Sequence, residues 1–289
     1  MSTTNHGEYF IPEPSKWPII GTIALTITVI GAVNSLHGDS ISWMLYVGFA
    51  LIAYLFYGWF GAVIDESMAN NYNEQVDRSF RIGMLWFIFS EVMFFAAFFG
   101  ALFYARIYSV PWLGGAGNNA MTSDLLWPAF DAIWPTNGPG DVGGEFTTMG
   151  AWGIPAINTM ILLSSGVTVT WAHWGLKMGN RGQLILGLLA TVVLGFLFIG
   201  LQAYEYFHAY TELGLTLGSG IYGTTFFMLT GFHGMHVTLG ATMLTVILIR
   251  SIKGHFTGEH HFAFEAVAWY WHFVDVVWLG LFVFVYWLV

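Results

Sequence analysis

Five ionisable side chains fall where an apolar chain has least reason to keep them. His272 and Asp275 lie in Trp269-Tyr-Trp-His-Phe-Val-Asp-Val-Val-Trp278, inside an apolar run from about Phe262 to Val289. Three residues apart, they share one helix face. A carboxylate at that depth costs roughly 2.5–3.5 kcal/mol on insertion scales, so it must face protein or water. Glu91 lies in Phe87-Ile-Phe-Ser-Glu91-Val-Met-Phe-Phe95, nine residues past Ile82, or roughly 13 Å along a helix. His233 and His236 follow Gly231-Phe with the same i, i+3 spacing.

These residue types permit three chemistries. The plainest is hydrogen bonding between helices, with His236, His272 and Asp275 as a buried polar network. The second is proton handling by Glu91 and Asp275, as in a proton-coupled transporter. The third is a membrane metalloenzyme built on His233, His236, His272 and Asp275, which counting along the chain places in one middle layer. A dinuclear carboxylate centre needs Glu-x-x-His from two helices, and the chain offers only Glu205-Tyr-Phe-His208. A bis-histidine haem needs partners at matched depth on facing helices, which spacing alone does not provide.

The elements that must position these groups are membrane helices. Of 289 residues, 56 % are hydrophobic and 9 % charged, against about 25 % charged in soluble domains. Cysteine is absent, which excludes disulfides, thiolate nucleophiles and iron–sulfur clusters. With eight Lys plus Arg there is no nucleic-acid surface. The first fifteen residues are polar, contain His6, Glu8 and Glu13, and lack the pattern of a cleavable signal peptide.

Apolar run length gives seven spans: about Ile19–Leu36, Ile41–Ile64, Ile82–Tyr108, Ile154–Trp174, Leu184–Ala203, Ile221–Ile249 and Phe262–Val289. A polar link, Asp65–Ser79, follows the second. A Gly- and Pro-rich surface loop, Ser109–Gly153, follows the third. Residues 1–79 then form a two-helix part and residues 80–289 a five-helix part. Lys16, Arg78, Arg81, Lys177, Arg181, Arg250 and Lys253 fall on one side of the membrane and Arg106 on the other. The positive-inside rule puts the N-terminus in the cytoplasm and the C-terminus outside. No internal repeat is evident and no Pro lies inside the last three spans, both of which count against a transporter of inverted halves. Asp65, Glu66, His255, His260, His261 and Glu265 fall at the inner face and read as interfacially solvated groups. Arg250 and Lys253 suit an anionic lipid headgroup, Trp59 suits an aromatic belt, and Asn158 lies on a small-residue face suited to close helix contact.

Six stretches carry a family resemblance. Phe232-His-Gly-Met-His236-Val, His255-Phe-Thr-Gly-Glu-His260-His-Phe-Ala-Phe-Glu265-Ala and Trp269–Trp278 closely resemble the last two helices of the cytochrome c oxidase subunit III family. Ser90-Glu91-Val, Asn158-Thr-x-x-Leu162-Leu-x-Ser165-Gly166 and Tyr222-Gly-Thr-Thr-Phe-Phe227 are similar to that family's other helices. The likeness covers essentially the whole chain. The quinol oxidase counterpart is the alternative, but it usually lacks the first two helices.

The resemblance implies a non-catalytic subunit that carries no haem or copper and packs on subunit I, with subunit II and small subunits nearby. The redox centres and the proton pumping belong to those partners. It implies that helices 1–2 and 3–7 form two bundles separated by a V-shaped cleft for phospholipid, lined or anchored by Trp59, Glu66, Arg250 and His233. It implies that Glu91 is a carbodiimide-reactive, proton-related carboxyl, and that losing the subunit slows proton entry and shortens the oxidase's working life. One departure stands out. Many relatives place an Arg before the Glu that ends helix 2, then Gly-His-His; here the stretch reads Val63-Ile-Asp65-Glu66-Ser-Met-Ala-Asn-Asn-Tyr-Asn73. Asp65 stands where the basic residue would be and the His pair is absent, so the roles of those features do not carry over while Glu66 is retained, and the departure points to a bacterial plasma membrane rather than a mitochondrial inner membrane.

Overall fold

The computed structural model describes residues 14–38 and 40–289; His6, Glu8 and Glu13 lie outside them. In chain order the helices are α1 (Trp17–His37), α2 (Trp43–Met68), α3 (Glu74–Tyr104), α4 (Val110–Leu113), α5 (Ala120–Leu126), α6 (Ile154–Lys177), α7 (Arg181–Thr211), α8 (Gly220–Ile252) and α9 (Phe262–Leu281). A π-helical turn, Ala105–Ser109, joins α3 to α4, and another, Phe282–Trp287, extends α9. Seven stretches are long and apolar enough to cross a membrane, and the described residues contain no strand. The all-α, seven-span expectation holds.

Local chemistry sets the boundaries. Pro18 and Pro155 occupy the first turns of α1 and α6, where a missing N–H costs nothing. Ser42 caps α2 by accepting from the Met44 N–H, and Asn180 caps α7 by accepting from the Gln183 N–H at 3.1 Å. Gly179, at φ 69°, ends α6 in the left-handed conformation that a residue with Cβ adopts reluctantly.

Two expectations based on apolar run length change. The link expected over Asp65–Ser79 shrinks to residues 69–73, because α2 continues through Asp65 and Glu66 and α3 begins at Glu74. Glu74 and Asp77 sit in the first turn of α3, where the helix dipole favours acids. An apolar run ends at its first charge, whereas the helix carries on past it. The loop expected over Ser109–Gly153 contains α4 and α5 and is tied to the α7–α8 connection. The Thr147 N–H donates to the Leu213 carbonyl at 2.8 Å, and Phe146 stacks on Tyr222 with centroids 5.3 Å apart.

The chain divides into units 1–80 and 81–289. In the first, α1 and α2 pack through glycine. A Cβ on Gly31 would fall 2.7 Å from Leu45 Cα, and one on Gly48 the same distance from Thr28 Cα. Close approach of this kind substitutes for the hydrophobic drive that lipid removes. In the second unit α6 packs on α7 and α9, α7 on α8, and α8 on α9. Its centre is aromatic: Trp271, Trp278 and Phe198 are fully buried. Trp271 fits because α7 and α8 present Gly195 and Gly240 to its ring, where a Cβ would come within 2.9 and 2.8 Å.

Candidate functional site

Glu91 reaches from α3 toward α8. Its Oε2 lies 2.9 Å from Nε2 of His236. The other ring nitrogen, Nδ1, lies 2.7 Å from the carbonyl oxygen of Phe232, one turn earlier. A carbonyl only accepts, so Nδ1 carries a hydrogen and the second contact must share one proton between carboxyl and imidazole. Either the acid donates to a neutral ring, or an imidazolium donates to a carboxylate. Aromatic rings shield the pair. Phe95 and Phe94 approach His236 with centroids 5.0 and 5.9 Å away, and Tyr270 stacks at 6.3 Å. The His236 side chain is 6 % exposed and that of Glu91 21 %, so the acid retains a path to the surface. Glu91 thus has a partner 145 residues away.

Asp275 and His272 sit between α9 and α6. Asp275 Oδ2 is 3.5 Å from His272 Nδ1, and His272 Nε2 is 3.2 Å from Thr170 Oγ1. The first contact is long for a hydrogen bond. Asp275 Oδ1 is buried without a partner. The carboxylate approaches α6 closely because Gly166 has no side chain there. Nearby, the Trp271 and Trp278 indole N–H groups donate to Ser165 Oγ at 2.8 Å and Thr159 Oγ1 at 2.9 Å. Asn158 is fully buried on the same helix, as its small-residue surroundings suggested.

His233 corrects an expectation. It is fully buried, its Nε2 donates to the Val274 carbonyl at 3.2 Å, and Trp278 and Phe198 cover its ring. It has no surface for lipid and serves α8–α9 packing. The middle-layer metal set is also undone: His233, His236 and His272 each direct a ring nitrogen to a different partner, so the four candidate ligands do not converge.

The remaining lipid candidates divide between the two units. In the first, Trp59 is 43 % exposed on α2, and Glu66 accepts from the Tyr72 hydroxyl at 2.6 Å. Burial, and then the Glu66 carboxylate, hold the Tyr72 hydroxyl above the usual phenol range. In the second, Arg250 ends α8 with its guanidinium 4.5 Å from the centre of the Phe256 ring, a cation–π distance. Its Nε is buried without a hydrogen-bond partner. Burial, and then the charges of Arg250 and Lys253, push His255 below the usual imidazole range.

A sequence model of the family described as cytochrome c oxidase subunit III matches residues 7–289. The chain belongs to the cytochrome c oxidase subunit III family. Proteins named cytochrome c oxidase subunit 3 from the fish Oncorhynchus masou and Carassius auratus are each 42 % identical to it over 280 residues, covering 96 % of both chains. The protein of that name from Scyliorhinus canicula is 41 % identical over the same length. As a subunit III, the chain is a multi-pass membrane component of a cytochrome c oxidase complex.

Two features of this subunit III escaped the sequence reading. Glu205 is fully buried on α7, and the Tyr286 hydroxyl donates to its Oε1 at 2.5 Å. No local spacing announced the contact, because Glu205 and Tyr286 lie 81 residues apart. Tyr286→Phe leaves that oxygen without its donor, a loss of about 1–3 kcal/mol for a buried group. The expected result is a lower temperature for loss of subunit III from the purified oxidase, with Tyr204→Phe, exposed on the same helix, as the control. The second feature is the trio His173, His261 and Glu265 at the junction of α6 and α9. Their place at a helix end suggests solvated groups, yet His261 is buried and the Glu265 side chain is 13 % exposed.

Proposed function

We propose that this subunit III supports the oxidase without carrying its redox chemistry. It packs on subunit I, with subunit II and small subunits nearby, and those partners hold the haem and copper that reduce oxygen. Residues 1–79 and 80–289 act as its two structural parts. Trp59, Glu66 and Arg250 take part in binding phospholipid, and the unpartnered Arg250 Nε suits a headgroup phosphate. Glu91 exchanges protons near their entry to the complex, drawing on the shared Glu91–His236 proton and the partial exposure of the acid.

The observation that carries this reading is the family match along residues 7–289, with 96 % coverage of relatives that bear the subunit's name. The buried acids and imidazoles support it, since they serve helix–helix contacts. The proposed setting is the plasma membrane of a bacterium, with the N-terminus in the cytoplasm and the C-terminus in the periplasm. Seven of the eight Lys and Arg residues fall on the cytoplasmic side of that arrangement, and Asp65 replaces the family's basic residue.

A tagged copy purified in mild detergent tests the assignment. Larger haem-bearing chains should accompany it, and the preparation should consume oxygen when given reduced cytochrome c. A chain that purifies alone from membranes containing active oxidase overturns the assignment.

A further inference from the structure

Away from Glu91 and His236, three ligand-bearing side chains converge where α6 ends and α9 begins. His173 lies one turn before the end of α6, His261 immediately precedes α9, and Glu265 is in the first turn of α9. One ligand atom from each lies within 4.8 Å of the other two. Glu265 Oε1 is 3.3 Å from His261 Nε2 and 3.6 Å from His173 Nε2. Neither contact has hydrogen-bonding geometry, and both Nε2 atoms are buried without a hydrogen-bond partner.

The surroundings aim these atoms at a common point. His261 Nδ1 lies 3.1 Å from the Thr257 carbonyl oxygen, which only accepts, so Nδ1 carries the hydrogen and the Nε2 lone pair faces Glu265. A backbone carbonyl holding Nδ1–H is a common outer partner of a metal-bound histidine. Arg81 pairs with Oε2 of Glu265, which fixes the carboxylate and leaves Oε1 toward the two rings. Four-coordinate zinc holds nitrogen and oxygen ligands at about 2.0–2.2 Å, which puts neighbouring ligands roughly 3.3–3.6 Å apart. The two distances to Oε1 already match that spacing.

We propose that His173, His261 and Glu265 form a binding site for a divalent transition metal of the zinc type. Two imidazoles and one carboxylate make a three-ligand zinc set with one position open. The imidazoles favour such an ion over calcium or magnesium, which take oxygen ligands. The bound ion ties the segment before α9 to the end of α6, two elements that the chain itself connects only through α7 and α8. Arg81, paired with Glu265, and Lys177, whose charge acts on His173, oppose the ion's charge and limit its affinity.

The test uses the assembled oxidase, because partner chains contribute metals of their own and only a difference is informative. Wild-type complex and complexes carrying His173→Gln, His261→Gln or Glu265→Gln are treated with a chelator and dialysed against zinc. Wild type should hold one more tightly bound zinc per complex than any variant. Its zinc X-ray absorption should show a histidine contribution that the His173→Gln complex lacks. Each variant should weaken this zinc by more than the about 10–100-fold that outer-shell changes cause. Should His261→Gln or Glu265→Gln fail to assemble, His173→Gln, whose side chain is 20 % exposed, still decides the matter. Zinc should also raise the temperature of subunit III loss in wild type alone. Equal zinc content in wild type and the assembled variants, or a wild-type zinc spectrum without imidazole, overturns the proposal.

Discussion

Gly166→Ala is expected to loosen subunit III from the oxidase, although alanine is the better helix former. The exchange adds one methyl where α6 meets α9. That methyl would overlap Asp275 Oδ2 and stand 3.5 Å from Asp275 Cγ and from His272 Nδ1. Alanine gains up to about 1 kcal/mol of helix propensity over glycine. Overpacking a fitted interface costs about 1–3 kcal/mol. Here the obstacle is a buried carboxylate on a rigid helix, so the cost prevails. If Asp275 swings away, it loses the long contact with His272, and its other oxygen already lacks a partner. The measurement is the temperature at which subunit III leaves the purified complex. Gly200→Ala on α7 is the control, because nothing lies within 4 Å of its added methyl. Gly166→Ala should fall below wild type and Gly200→Ala should not. Adding Asp275→Ala to Gly166→Ala removes the obstructing atoms and should cost less than the two single changes combined. Equal behaviour of the two alanine variants refutes the packing account.

The same junction shows how far sequence reaches. The seven spans were legible because each carries enough apolar residues to fill the bilayer. The importance of His272 and Asp275 was legible because the cost of polar groups in hydrocarbon makes each one conspicuous. Their partners were not. Depth along α3 was counted from Ile82, where the apolar run begins, while the helix begins at Glu74. Position along one helix therefore did not show that α8 brings His236 within 2.9 Å of Glu91. His173 and His261 escaped for a different reason. A lone imidazole near a helix end looks like a solvated group, and only the third dimension brings Glu265 between the two. His233 failed in the opposite direction, since a resemblance transfers a role while burial decides whether the side chain can reach the ligand.

Glu91→Gln should abolish carbodiimide labelling of subunit III and leave substantial oxygen consumption. Carbodiimides react with protonated carboxyl groups. The contact with His236 holds a proton on the carboxyl whenever the ring is neutral, and the 21 % exposure of the acid admits the reagent. A glutamine amide cannot react, but it can donate an N–H to Nε2 of a neutral His236 whose Nδ1 still donates to Phe232. The helix contact therefore survives, and with it the assembly. His236→Leu is the informative companion. It removes the acceptor, leaves the carboxyl against Phe94 and Phe95, and should lower the temperature of subunit III loss by more than Glu91→Gln does, since a buried group deprived of its partner costs about 1–3 kcal/mol. Labelling should persist in that variant, because the carboxyl is still present. Labelled peptides from digested subunit III report the first outcome and oxygen uptake with reduced cytochrome c the second. A fully assembled Glu91→Gln complex with no turnover would make this carboxyl part of the catalytic route, contrary to a supporting subunit whose buried acids join helices.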